Sequence, residues 1–159
     1  MADAWAFQVA EAMLRKIREA ALDEASWEQV PGPPVRVDHV QGPADLNLPM
    51  PSVLIEAQNV PGATHAAPGY WAAEVEVVAY CLLKAGPEAH RAVHNMAERV
   101  GLVFRAQLRG LEFEGESLVA SGSFQYSGYE SKIELDPGKG GHALAIVKGL
   151  ARRKYQDAA

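Results

Sequence analysis

The sequence predicts an α+β domain in which helices pack on a β-sheet. Two segments, at about 3–24 and about 87–108, repeat their apolar residues at helical spacing, while the segments between and after them alternate with period two. The resulting order is helix, three strands, helix, several strands, without the strict alternation of strand and helix that builds a parallel α/β sheet. A chain of 159 residues, 48% hydrophobic and 22% charged, is long enough for one domain over residues 1–159 with a core of its own.

In the first helix Asp3 stands where a cap belongs. Val9, Met13, Ile17 and Ala20 share one face, flanked by Phe7, Leu14 and Ala21, and Glu11, Arg15, Arg18 and Glu19 take the other side. PGPP at 31–34 ends any helix, because proline removes a donor and fixes φ. VRVDHV at 35–40 alternates as a short strand, and the proline-punctuated QGPADLNLPMP leads to a second strand, SVLIEA at 52–57. NVPGATHAAPG at 59–69 reads as a projecting, mobile loop.

The clearest strand is YWAAEVEVVAYCLL at 70–83. Trp71, Ala73, Val75, Val77, Ala79, Cys81 and Leu83 form an unbroken apolar row, whereas the other row begins with Tyr70, Glu74 and Glu76 and turns apolar at Val78, Tyr80 and Leu82. A half-apolar second face on a long strand is material for packing or for contact with another chain, so these last three are candidate interface residues. KAGPEAH then opens the second helix, with Pro87 expected at its first position, where a missing N–H costs nothing. Ala89, Val93, Met96, Ala97, Val100, Val103, Phe104 and Leu108 make its sheet-facing stripe, and Gly110 supplies a left-handed stop. LEFEGE at 111–116, SLVASGSFQYSG at 117–128 and YESKIEL at 129–135 read as three strands, and DPGKGG at 136–141 as a hairpin turn. In HALAIVKGLARRK, Leu144, Val147, Leu150 and Ala151 also fit a helix, but the turn before it and Gly149 at its centre favour a strand.

The chemistry-bearing patterns are few. In HRAVHNMAE, His90, His94 and Glu98 share a helix face at a spacing that zinc sites use. They lie beside the apolar stripe, however, and Arg91 stands where an HExxH site needs its general base. His39, His65 and His142 sit on strands and loops elsewhere. The bland interpretation, a solvated helix shoulder, is preferred, and no metal or other cofactor is expected. PGKGG lacks the spacing and the hydroxyl of a phosphate loop. Ser121, Ser123 and Ser127 lie on one strand face outside any GxSxG, and Glu74/Glu76 and Glu112/Glu114 merely alternate along strands. Cys81, the single cysteine, excludes an internal disulfide and is expected to be buried.

Charge and hydropathy exclude further classes. A net charge of −5 and pI near 5.5 argue against a dedicated nucleic-acid binder. No apolar run reaches the roughly 18 residues of a membrane span, and MADAWAFQVAEAMLRKIREAA lacks the pattern of a signal peptide, so a cytoplasmic protein is expected. Near the end, ARRKYQ gathers Arg152, Arg153 and Lys154 beside Tyr155, a second set of candidate interface residues, with 155–159 expected as a flexible tail.

The succession of an N-terminal helix, the strand in PSVLIEA, a loop, the strand WAAEVEVVAYCLL, the helix starting at GPEAHRAVHNMAERV and the late strands ending HALAIVKGLARRK resembles the tail terminator (tail completion) proteins of tailed bacteriophages, over residues 3–154. The resemblance implies a single mixed or antiparallel sheet with two helices on one face. It also implies a structural virion protein, not an enzyme, assembled in the bacterial cytoplasm as a homo-oligomeric ring of about six. Such a ring ends tail-tube polymerisation, joins tube protein to head–tail connector proteins, and lets DNA pass through its lumen without sequence-specific binding; an acidic lumen suits that passage. The proline-rich insertion at 41–51 departs from the pattern. A head–tail connector or neck protein is the nearest alternative, and a small metal-dependent hydrolase using His90, His94 and Glu98 is the alternative of another class.

Overall fold

A computed structural model describes residues 4–21, 34, 36–42, 49–60, 71–109, 112–113, 116–117, 124–134 and 141–154. Helix α1 spans Trp5–Ala21, strands β1, β2 and β3 span Arg36–His39, Ser52–Asn59 and Trp71–Lys84, and helix α2 spans Ala89–Arg105, continued by a 3-10 turn over Ala106–Arg109. The short strands β4 (Glu112–Phe113) and β5 (Glu116–Ser117) pair with each other, and β6 (Phe124–Glu134) and β7 (His142–Lys154) complete the strands among the described residues. Five strands form one mixed sheet in the order β1-β2-β3-β7-β6, in which β1 runs parallel to β2 and all other neighbours are antiparallel. The fold is therefore α+β, as the element order predicts.

Both helices cover the same sheet face. Val9, Met13 and Ile17 of α1 and Val93, Met96, Val100 and Phe104 of α2 meet Val53 and Ile55 of β2, the β3 row Val75, Val77, Ala79, Cys81 and Leu83, and Ala143, Ala145, Val147 and Ala151 of β7, in one core. The alternation read from the sequence of β3 is thus the alternation of core and outer face. Burial drives the Cys81 thiol up to about 12. Gly149 sits under the α2 aromatics: a Cβ there would lie 2.6 Å from Phe124 Cζ and 3.0 Å from Phe104 Cδ2. The glycine that weakens a helix at this point is the one that lets β7 pass beneath two rings.

Three expectations need correction. Pro87 is not the first residue of α2. Gly86, Pro87, Glu88 and Ala89 form a type II turn, with Glu88 at φ 69°, ψ −2° and the Ala89 N–H donating to the Gly86 carbonyl, so the proline presets the turn and the helix begins at Ala89. The segments 124–128 and 129–134 are one strand and not two: the register against β7 shifts between Tyr126 and Gly128, and Gly128 takes φ 94°, so the dipeptide Ser127-Gly128 makes a bulge and not a strand break. LEFEGE does not form one strand, since β4 and β5 divide its residues. ARRK ends β7, as the strand reading of HALAIVKGLARRK expects, with Lys154 in register with Trp71 of β3. Asp3, the loop 61–69, most of the turn at 136–141, Gly110, Ser121, Ser123 and the segment 155–159 lie outside the described residues. Glu134 and His142 nonetheless pair across β6 and β7, so that turn closes a hairpin.

Candidate functional site

Three places gather the polar side chains singled out above. The first is His94. Its helix position leaves it at the edge of the stripe, and it reaches across to β6, where Nδ1 is hydrogen-bonded to the Tyr129 hydroxyl at 2.9 Å and Nε2 to Ser131 Oγ at 3.2 Å. Tyr129 and Ser131 are two apart on a strand and so point to the same side as each other. Burial, together with the charge of Glu98 and a hydrogen bond to it, raises the Tyr129 hydroxyl above its ordinary value. With the Tyr129 proton directed to Glu98, His94 Nδ1–H donates to Tyr129 and the Ser131 hydroxyl donates to Nε2, one proton per bond along the chain Ser131–His94–Tyr129–Glu98. A metal on His94 would have to displace one of these bonds. His90 stacks edge-on against His94, ring centres 4.7 Å apart, and is exposed. Among the described residues no group of three or more metal-ligating side chains is arranged to hold an ion. The helical spacing correctly puts His90 and His94 on one face, but the partners of His94 come from a strand 35 residues on, which only the polar pair Tyr129/Ser131 within one strand face signals.

The second is the sheet face that the helices leave uncovered. Here Leu54 of β2 lies between the β3 row Val78, Tyr80 and Leu82 and Arg36 and Asp38 of β1, and Leu144, Ile146, Lys148, Leu150 and Arg152 of β7 follow on the far side of β3. Val78 and Leu82 are only 3% and 5% exposed, and Leu54 2%, so the single chain already buries them. Tyr80 is half-buried and donates to Glu56 Oε1; burial first, then that carboxylate, hold its hydroxyl well above the ordinary tyrosine range. Charge pairs frame the patch: Arg152 Nε donates to Glu74 Oε1 at 3.0 Å, and Lys148 lies 3.9 Å from Glu130. Of the basic cluster, then, Arg152 is engaged on this face. Arg153 points to the other, its guanidinium 4.7 Å over the Trp5 ring. The Lys154 side chain and Tyr155 lie outside the description.

The third is the end of α1 against β1 and β2, where a cleft of about 390 Å³ is lined by Ala6, Phe7, Ala10, His39, Val40 and Glu56 among others. His39 stacks on the half-exposed Phe7, ring centres 5.0 Å apart, and donates from Nε2 to Glu11. The same neighbourhood closes the outer edge of β1. Arg18 Nε donates to the Val37 carbonyl at 3.0 Å while its guanidinium lies 3.8 Å from Asp38, and the His39 N–H donates to Asp38 Oδ1 at 2.8 Å. Val40, of the other parity, donates inward to Ile55 at 3.0 Å. Two of the outward backbone groups of β1 are thus already satisfied within the chain.

No protein-family model and no curated protein matches this chain. Among the described residues no helix is long and apolar enough to cross a membrane.

Proposed function

We propose that this protein is a non-enzymatic structural subunit of a tailed-bacteriophage virion, a tail terminator that assembles as a ring on the end of the tail tube and offers its other surface to the head–tail connector. The observation that carries the proposal is the inequality of the two sheet faces. One is sealed by both helices; the other carries the partly buried Leu144, Ile146, Leu150 and Tyr80 within a frame of charge pairs. Apolar centre and polar rim are the anatomy of an association surface. The succession of elements, which resembles that family, supports the same reading. Ring contacts of this subunit run through faces and not through strand edges on both sides, because β1 is capped by Arg18. An acidic chain leaves DNA free to move through the lumen.

The test is a phage lacking this protein, complemented by the purified chain, with particles and isolated tails viewed by negative stain. Tails of uncontrolled length, or none, with joining restored by the added protein, are expected. Tails of normal length that stay unjoined would make it a neck protein, and normal tails already joined to heads would remove it from the terminator role.

A further inference from the structure

Strand β1 stops at His39, while its neighbour β2 runs on to Asn59. The Val40 N–H donates to the Ile55 carbonyl and the Val60 N–H to the Glu74 carbonyl, so odd-numbered residues of β2 turn their backbone groups toward β1 and even-numbered ones toward β3. Past the end of β1, the N–H and C=O of Ala57 and Asn59 therefore face the place where β1 would continue, and among the described residues no backbone group meets them. That place is the cleft of about 390 Å³ described above. Ala6, Phe7 and Ala10 of α1 form one wall and Val40, Ile55 and Ala57 the other, with His39 as a polar corner; the two alanines of α1 leave room that larger residues would fill. Phe7 and Val40 are 45% and 36% exposed, so the cleft is open to solvent between two large apolar side chains. An unpaired strand edge beside an apolar cleft is what a chain segment needs to bind by strand addition.

We infer that this cleft receives Tyr155 of a second copy of the chain, with the backbone around that residue pairing with Ala57 and Asn59 as a short added strand. Tyrosine suits the cleft, because its ring fills the apolar space while its hydroxyl reaches the polar corner at His39. Leu102 and Ile133, also large, apolar and exposed, sit in a helix and in a paired strand, so their backbones are not free to line up on β2. Tyr155 follows the last paired residue of β7, where the chain leaves its own sheet. Charge favours the same segment. Glu56 at the rim is held by the neutral Tyr80 hydroxyl and Gln58 amide and has no cation partner among the described residues, and Tyr155 follows Arg152, Arg153 and Lys154, the only run of three basic residues in the chain. The chain's own Tyr155 cannot serve. Lys154 is in register with Trp71, whereas Ala57 of the cleft is in register with Val77 and one strand further across, so the cleft lies roughly 20 Å along the strands from a residue that is one Cα step, about 3.8 Å, past Lys154. Donor and receiver are different surfaces, so the contact runs head to tail and repeats until a ring closes. It supplies a subunit contact for the ring proposed above and rests on that reading for its purpose only: association of the purified chain and complementation of a phage fail independently.

The experiment uses the full chain and sedimentation velocity over a concentration series. The parent is expected to self-associate. Tyr155→Ala keeps the cleft and lacks the occupant, whereas Phe7→Lys keeps the occupant and sets a cation in the cleft wall, so each variant alone should associate at least about tenfold more weakly. Mixed in equal amounts, the two should form a one-to-one heterodimer and nothing larger, because one intact donor then meets one intact receiver and no further pair remains. Recovery on mixing cannot come from unfolded chains. If Phe7→Lys falls below the parental urea midpoint, Val40→Lys, on the opposite wall and also exposed, takes its place. In the associated parent the Ala57 and Asn59 amides should exchange hydrogen more slowly than in Tyr155→Ala at the same concentration. A parent that stays monomeric throughout the series, or either variant associating like the parent, overturns the inference. So does a mixture of folded variants that stays monomeric or grows past the dimer, and so does equal amide exchange in parent and Tyr155→Ala.

Discussion

Replacing Gly149 by alanine adds one methyl group at the most crowded point of the helix–sheet contact. The new carbon would lie 2.6 Å from Phe124 Cζ and 3.0 Å from Phe104 Cδ2, roughly an ångström inside van der Waals contact for the nearer atom. Neither ring has room to retreat, since both are fully buried and packed edge-to-face with centres 5.9 Å apart. Overpacking of this kind costs about 1–3 kcal/mol. Alanine in place of glycine returns about 0.4–1 kcal/mol by restricting the unfolded chain. The net expectation is a loss of about 1–2 kcal/mol, seen as a lower urea midpoint at unchanged slope. Gly86→Ala serves as the control, for its Cβ would meet nothing within 4 Å. Trimming the obstructing ring in Gly149→Ala/Phe124→Leu should make the glycine substitution cost less than it does in the parent. A Gly149→Ala protein as stable as the parent, or one equally damaged with and without the Phe124 ring, would refute the packing argument.

Three further outcomes are expected. His94→Ala removes the bonds to both Tyr129 and Ser131 and should destabilise by about 1–3 kcal/mol in urea unfolding, while His90→Ala, at an exposed position, should stay within about 0.5 kcal/mol; equal effects would deny His94 its bridging role. Arg152→Glu sets two carboxylates opposite each other in the β3–β7 register and should cost about 1 kcal/mol, and the exchange Glu74→Arg/Arg152→Glu should regain most of it by the same measurement. Burial raises Cys81 above its ordinary 9.0 and Tyr80, Tyr126 and Tyr129 above 10.0, so above those values the unfolded chain gives up protons that the folded chain keeps; the urea midpoint should hold below about pH 9 and fall as pH rises further, and a level or rising midpoint there would contradict the burial.

The sequence makes the elements legible where one physical signal dominates. Strand β3 declares itself because its core row never admits a polar residue, and α2 because its stripe keeps helical spacing over its whole length. Legibility fails where a residue serves geometry instead of periodicity. Ser127-Gly128 punctuates the sequence like a turn, yet the strand continues through it as a bulge; Pro87 looks like a helix start and belongs to the turn before it. The site residues divide in the same way. The side chains of His90 and His94 can be placed on one face from spacing, but the partners that decide what His94 does stand on β6. Likewise Arg152 and Arg153 read as a basic cluster and end on opposite faces of one strand, because adjacent residues of a strand must diverge.

The central pairing of the sheet joins distant parts of the chain: Val75 of β3 lies in register with Ala151 of β7, 76 positions later. During synthesis β2 and β3 can form their hairpin early, and α1 and α2 can collapse onto it, but β3 keeps one whole side unbonded until β7 has left the ribosome. The nascent domain therefore carries its stickiest edge in the middle of what will be its core, which favours slow, late completion of folding and a dependence on chaperones or on dilution when refolded.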